Sequence, residues 1–457
     1  MRITRRSLLV GAGSGAVALL LASCVPTEPD PTPSPTEPDV TPTPSHDVPV
    51  PVAYVRSGWT TDPLARGARP YVPAGSGAAD RAVLAEPLDD RVFFAGDALG
   101  DPIGTMHGAA NDGLRAAELV AASGAEGERV FVVGAGIAGA RAARYLADRG
   151  FEVTVIEGRN RVGGRIESPS HDDWPVNTAL GMWLANPDDT DLLESLDDVG
   201  IRTIPLEGET ARDQQGDADP IAIDAVREAL DAAAEAASDA SLEDQLAEDG
   251  ADIEAPDVAA ALAYVSALTG AEAAELSSWY PPQIPDGLVA VDGDLAEVVT
   301  EALGDITMSL ETTVLGVAYD DRGVSLRLGS GEALSADRVV LTVPIGVLRQ
   351  GSISFEPALP IPHRAAIDAI GSGAVETIWL QFDEAFWSND ETLWHVVGGE
   401  ALVRTWVNLL PVTGEPILVG LVGADAAREF AELSDGEAAQ AAVDSLGYFA
   451  AAPTGEE

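Results

Sequence analysis

The stretch from Arg129 to Arg165, RVFVVGAGIAGARAARYLADRGFEVTVIEGRNRVGGR, constrains this chain more than any other. Val130 to Val133 reads as a short strand, and Gly134, Gly136 and Gly139 follow in G-x-G-x-x-G order with Ala138 inside the same turn. Apolar residues then recur at helical spacing from about Ile137 to Arg149, and Val153 to Ile156 reads as a second strand that ends at Glu157. The first glycine makes the strand-to-helix turn, the second lets backbone approach a pyrophosphate, and the third lets helix pack on strand. The pyrophosphate rests on the positive end of the helix. Glu157, 18 residues after Gly139, is placed to accept hydrogen bonds from a ribose diol. Strand, helix, strand and acid in this register predict a dinucleotide-binding α/β unit.

The residues that begin at Glu157 sharpen the cofactor. EGRNRVGGR resembles the E-x-R-x-R-x-G-G-R signature of the flavin-containing amine oxidase superfamily, whose monoamine and polyamine oxidase-like members bind FAD. The resemblance implies that Arg159 and Arg165 approach the FAD phosphates and that Gly163 and Gly164 let the chain pass close to the cofactor. The tract GAGSGA at 11–16 lies in a leader, and no second convincing fingerprint is present, so an oxidase is expected over an NAD(P)H-fed reductase.

A second family segment stands in an unexpected place. Trp59-Thr60-Thr61-Asp62-Pro63, then Tyr71-Val72-Pro73, lead into LAEPLDDRVFFAGDALGDPIGTMHGAANDGLRAAELV, which resembles the family's carboxyl-terminal FAD motif. By that resemblance Val92 to Ala95 is a core strand ending at Gly96-Asp97, and Ile103 to Val120 is a turn plus helix against the flavin. Asp97 would bind a ribityl hydroxyl, and backbone at Thr105 and Met106 would face the ring, with the helix amino terminus stabilising negative charge. In the family this segment comes last; here it precedes the glycine turn. SLGYFAAAPTGEE at 445–457 resembles the family segment that runs into W-x-x-D-P, so joining Glu457 to about Pro51 restores the family order. The expected fold is therefore α/β: a Rossmann-like FAD-binding domain plus a mixed α+β substrate domain, the amine oxidase fold in circularly permuted form. SGAEGE at 123–128 becomes the new connector, and six residues span at most about 20 Å.

The amino-terminal stretch reads as targeting rather than fold. Thr4-Arg5-Arg6-Ser7-Leu8-Leu9 resembles a twin-arginine export signal, and Leu21-Ala22-Ser23-Cys24 resembles a bacterial lipoprotein box. Cys24 is the only cysteine, so it is the expected lipidation site and no intramolecular disulfide can form. The expectation is an exported protein, lipid-anchored at the outer face of a bacterial cell membrane. Residues 25–50, rich in Pro, Thr, Glu and Asp, predict an extended, disordered stalk.

In the 457-residue chain, 75 acids stand against 26 basic residues, all arginine, for a net charge of −49. Nucleic acid and anionic membrane surfaces are poor partners for such a body. The acids read either as a solvated face or as an attractor of a cationic substrate.

The expected boundaries are a signal peptide at 1–24, the stalk at 25–50, FAD-binding domain at 51–175, helical part of the substrate domain at 176–287, FAD-binding domain again at 288–345, and substrate-domain sheet at 346–457. VNTALGMWL at 176–184 resembles a family segment that places Trp183 near the substrate entrance or the flavin edge. Residues 188–200 read as a helix, and the Ala-, Asp- and Glu-rich stretch 206–280 has helical periodicity. Thr313-Val314 stands where the family sets backbone on the adenine, and VLTVPIGVL at 340–348 is another match.

Amine oxidation asks little of side chains, because proximity, desolvation and the cofactor's electronics carry most of the barrier reduction. The family adds a lysine that holds a water near flavin N5, and often an aromatic cage. This chain has no lysine. Arg349 and His363 occupy the corresponding positions, and Arg349 cannot act as a base. The catalytic candidates are His363, which could hold a water or relay a proton, Tyr71 as a cage aromatic, and Trp183, with Trp379 and Trp387 as further aromatics. The expected activity is oxidation of a mono- or polyamine by hydride transfer to flavin N5, with O2 as acceptor and a cationic amine as substrate. Two readings stay open beside it: a flavin oxidase or desaturase of a non-amine substrate, and a non-catalytic, FAD-stabilised surface binding protein.

Overall fold

A computed structural model describes residues 40–169, 174–181, 183–281 and 283–450. The export signal, Cys24 and stalk residues 25–39 lie outside the described residues, as do 451–457.

The cofactor-binding layer is a five-stranded, wholly parallel sheet. Its strands are β1 (Val92–Phe94), β2 (Arg129–Val133), β3 (Glu152–Ile156), β4 (Thr307–Ser309) and β5 (Arg338–Leu341), in the spatial order β4-β3-β2-β5-β1. The central strands VFVV and RVVL are buried throughout, as a parallel sheet covered on both faces requires. Helix α1 (Met106–Ser123) and helix α2 (Ile137–Ala147) pack side by side on one face. A Cβ at Gly113 would sit 2.2 Å from the Ala138 carbonyl oxygen, so only glycine lets the two backbones approach this closely.

The larger sheet has seven strands, ordered Ala53–Arg56, Val375–Gln381, Ile417–Gly423, Thr405–Asn408, Leu393–Val396, Glu209–Asp213 and Gly216–Asp217. Its residues alternate between faces. Ile378, Leu380, Trp406 and Leu418 turn towards the helices Ala424–Glu432 and Asp435–Leu446, while Trp379, Val407, Val419 and Leu421 turn towards Trp59 and Trp183. The helices Ile223–Ala233, Leu242–Glu248 and Pro256–Thr269 form a further core with Tyr264 and Leu276.

Three features depart from the sequence reading. Residues 206–217 were expected to be helical, yet Glu209–Asp213 and Gly216–Asp217 form a hairpin. Asp213 accepts the N–H groups of Gln215 and Gly216, Gly216 has φ 127°, and the hairpin adds to the edge strand Leu393–Val396. Of the expected stalk, residues 43–48 are held: Val48 is fully buried and the Thr43 N–H donates to Gln440 at 2.7 Å. Finally, Ala53–Arg56, assigned in sequence to the cofactor-binding segment, is the edge strand of the seven-stranded sheet. Beyond it the Glu376 carboxylate, fully buried, collects the Ser57 hydroxyl and the N–H groups of Trp59 and Thr60, fixing the W-x-x-D-P loop on that sheet.

His395 is buried in the same sheet, its ring 5.0 Å from that of Tyr264, and neither ring nitrogen has a hydrogen-bond partner among the described residues. A Glu209 oxygen lies 3.5 Å away, but burial dominates and pushes the imidazole down to about 3. A histidine held neutral when folded is protonated more readily when unfolded, so stability falls as pH drops from about 6.5 towards 3. Denaturant titration at pH 6.5 and pH 5 should therefore show the parent losing about 2 kcal/mol more than a His395→Leu variant.

Candidate functional site

One cavity of about 670 Å³ takes in the glycine turn, Glu157, the start of α1 and the inner face of the seven-stranded sheet. Its size is within the roughly 300–1,000 Å³ range of ligand pockets.

The three glycines have distinct roles. Gly134, at φ 108°, makes the turn out of β2. A Cβ on Gly139 would lie 2.0 Å from the Gly134 carbonyl oxygen, so the third glycine seats α2 on the strand. A Cβ on Gly136 would meet nothing closer than the Gly163 carbonyl oxygen at 3.9 Å and would project into the cavity. Gly136 is also the N-cap of α2, with no side chain satisfying the first-turn N–H groups. A helix start of this kind is an anion site.

Glu157 closes the other side of the turn. One carboxylate oxygen accepts the Ala135 N–H and the other the Arg159 N–H, both at 2.8 Å. Each oxygen keeps a lone pair for a ribose hydroxyl. Gly163, whose N–H bonds the Ala135 carbonyl at 2.9 Å, and Gly164 bring the next loop against Gly136. Thr312, Thr313 and Val314 line the same cavity.

Arg159 and Arg165 both line it, and both are ion-paired: Arg159 with Asp62 at 2.7 Å and Arg165 with Asp97 at 2.8 Å. Each pair joins the segment before the glycine turn to the loop after Glu157. Gly96, Thr105, Met106 and Ala138 also line the cavity. Thr105 is the N-cap of α1, its hydroxyl accepting the Gly108 N–H at 3.1 Å. Two helix amino termini thus open on one volume.

Of the catalytic candidates, only Trp183 lines the cavity, buried against Trp379 with ring centroids 5.0 Å apart. Trp59 lines it too, its indole N–H held by the Leu180 carbonyl at 2.7 Å. His363 does not: its Nε2 lies 3.0 Å from the Glu86 carbonyl and its ring packs near Phe94, on the far side of β1. Tyr71 is also outside, because its strand Arg69–Tyr71 pairs with Gly371–Gly373 and the ring lies against Gly371. Burial, then Glu275, pushes its hydroxyl up to about 12. Arg349 turns outward to the carbonyls of Asp368 and Ile370, and Trp387 packs among Phe382, Phe386 and Trp394. Alternation along a strand and helix phase decide these outcomes, and a motif position does not encode them.

Three cavity residues were missed in the sequence. His107 sits in the first turn of α1 with its Nδ1 3.1 Å from Asp189, the N-cap of the helix Thr190–Asp198. GTMHGA contains His107, but nothing in the sequence brings Asp189 to it. Arg69 lines the cavity beside Gly104, and no motif marked it.

The glycine geometry makes a paired prediction. Gly136→Ala should fold with an unchanged apo melting temperature but lose flavin uptake, because its methyl enters the cavity. Gly139→Ala should lower stability by about 2 kcal/mol or more through overpacking. Flavin absorbance of the purified protein and thermal melts of the stripped protein check both.

Comparison with known proteins agrees with this geometry. A model of the family described as flavin containing amine oxidoreductase matches residues 39–121 and 247–454, and one of an NAD(P)-binding Rossmann-like domain matches 132–199. The chain is 28% identical over 348 residues to probable polyamine oxidase 4 of Arabidopsis thaliana, covering 67% of this chain and 68% of that one. It is 27% identical over 350 residues to polyamine oxidase 4 of Oryza sativa subsp. japonica, covering 69% and 72%. The solved structure of wild-type putrescine oxidase bound to putrescine superposes with a TM-score of 0.55 at 21% identity, over 71% of this chain and 82% of that one, a likeness of fold. A cavity with two open helix amino termini, a carboxylate with spare lone pairs and glycine where a methyl would intrude fits FAD. With the fold, the cavity and the family match in agreement, the chain belongs to the flavin containing amine oxidoreductases, as an FAD-dependent oxidoreductase of the amine oxidase fold.

Proposed function

We propose that this enzyme oxidises an amine, with O2 as the electron acceptor. The observation that carries the reading is the single cavity in which the glycine turn, the start of α1 and the Trp59–Trp183 wall meet. Gly134, Gly136 and the α2 amino terminus would hold the pyrophosphate, Glu157 the ribose, and Asp97 with the Gly104–Met106 backbone the ribityl and ring. FAD, when bound, supplies the hydride acceptor. The protein supplies an apolar wall of Trp59, Leu180, Trp183 and Leu421, which would exclude water and orient a substrate C–H bond towards the bound cofactor. The bond that breaks is the C–H next to nitrogen: its electron pair leaves as hydride, the amine proton leaves to solvent, and the imine goes on to hydrolysis. Polyamine and putrescine oxidases among the relatives support an amine substrate.

The chain has no lysine to take the place of the family's, and Arg349, at the corresponding position, faces away. The non-amine oxidase or desaturase reading draws its support from that arrangement.

The circular permutation belongs to the same proposal. The last described helix, Asp435–Leu446, lies against Ala53–Arg56, and Arg56 bonds Asp435 and the Phe430 carbonyl, which supports a former covalent link between those segments. Export by the twin-arginine route with lipidation at Cys24 is proposed from the leader alone, a route suited to a protein that folds around its cofactor first. No helix among the described residues is long and apolar enough to cross a membrane.

Anaerobic mixing of the full chain with a panel of mono- and polyamines, monitored by flavin absorbance, tests the activity. Bleaching by an amine is the expected result. A yellow protein that no amine bleaches would move the assignment to a non-amine substrate.

A further inference from the structure

The cavity inverts the charge balance of the chain. Over the whole sequence 75 acids face 26 arginines, yet the cavity is lined by Arg66, Arg69, Arg159 and Arg165 against Asp97, Glu157 and Asp189. Arg159 and Arg165 are each matched by a carboxylate. Arg69 is not. Its guanidinium donates to the Leu268 carbonyl and, at 3.2 Å, to the Gly104 carbonyl, and no carboxylate among the described residues bonds it. These bonds use two of its five N–H groups. The neighbouring Asp97 is committed to Arg165 at 2.8 Å.

The position is as informative as the missing partner. Gly104 immediately precedes Thr105, the N-cap of α1, and a Cβ on Gly104 would lie 3.2 Å from Arg69 Nε. Leu268 is in the last turn of the helix Pro256–Thr269, which with Ala267 lines the substrate side of the cavity. Arg69 therefore bridges the flavin end and the substrate wall. Its strand register is fixed by the pairing of Arg69 with Gly373 and Tyr71 with Gly371, so the side chain is held rather than free to swing out. Burial pulls the guanidinium below its usual range, opposed by the pull of Asp97, and it stays charged at any physiological pH.

A half-buried cation hydrogen-bonded only to neutral carbonyls calls for an anion once the cavity is filled and water is displaced. A simple ammonium beside it would be repelled. We propose that the substrate amine carries a carboxylate close to its nitrogen, an amino-acid-type substrate, and that Arg69 pairs with that carboxylate through its remaining N–H groups. This inference rests on the amine oxidase reading and names its substrate class. The planar guanidinium suits bidentate carboxylate recognition, which a lysine would not reproduce.

Matched pairs test it on the FAD-loaded full chain: ornithine against putrescine, lysine against cadaverine, phenylalanine against phenethylamine. The carboxylated member should bleach the flavin with kcat/KM about 100-fold higher. Benzoate, which cannot be oxidised, should perturb the flavin absorbance on binding. Its Kd should rise about 100-fold in Arg69→Gln and recover in part in Arg69→Lys, with flavin content and midpoint potential unchanged. Equal turnover of the decarboxylated members, or benzoate affinity indifferent to Arg69→Gln, overturns the inference. A changed midpoint potential with unchanged benzoate affinity also overturns it and assigns Arg69 to the flavin. If no amine of either kind bleaches the flavin, the amine reading fails, while benzoate binding still decides the role of Arg69. Should Arg69→Gln not retain FAD, the Arg69→Lys titration and the parent's matched pairs decide it.

Discussion

The close approach of α1 and α2 is the constraint on which the site depends. Gly113 lets one helix lie against the Ala138 carbonyl of the other, and Gly139 lets α2 settle on the Gly134 turn. With ordinary side chains at these positions the helices would stand off, and their amino termini would no longer face one volume. Each start presents unsatisfied N–H groups and the positive end of a helix dipole. Together they make a cavity in a strongly acidic protein into a place where an anionic dinucleotide is stable.

Around that pair the charges are arranged by matching rather than by excess. Glu157 satisfies two turn N–H groups while offering lone pairs outward, so one buried carboxylate holds the loop and still has acceptor capacity to spare. Arg159–Asp62 and Arg165–Asp97 tie the segment before the glycine turn to the loop after it. These half-buried, hydrogen-bonded pairs position backbone more than they add stability, since desolvation offsets much of their Coulomb energy. Arg69 stands apart from this matching, which is why its charge points to a ligand.

The substrate side is organised by the period of two along β-strands. Trp379 faces the cavity wall while its neighbours Ile378 and Leu380 face the covering helices, and Trp183 packs against Trp379 on the wall side. Glu376, buried beneath the W-x-x-D-P loop, carries the same sheet's register into the loop that presents Trp59.

The sequence alone determined the glycine turn between β2 and α2, the acid at the end of β3, the E-x-R-x-R-x-G-G-R loop after it and the strand, turn and helix around Gly96–Met106, because those features are local: spacing along the chain fixes the backbone path. It also showed the absence of lysine. Residues 206–217 misled it, since an Ala- and acid-rich surround masks a short hairpin that exists only because an edge strand receives it. Tertiary structure alone decided which candidates face the cavity. His363 and Tyr71 turn away because their helix and strand are docked by Phe94 and by Gly371, and Arg69, Trp59 and the His107–Asp189 pair face it because residues 30 to 200 positions apart are brought together by packing. Direction at a site is a property of packed elements, and a linear pattern cannot carry it.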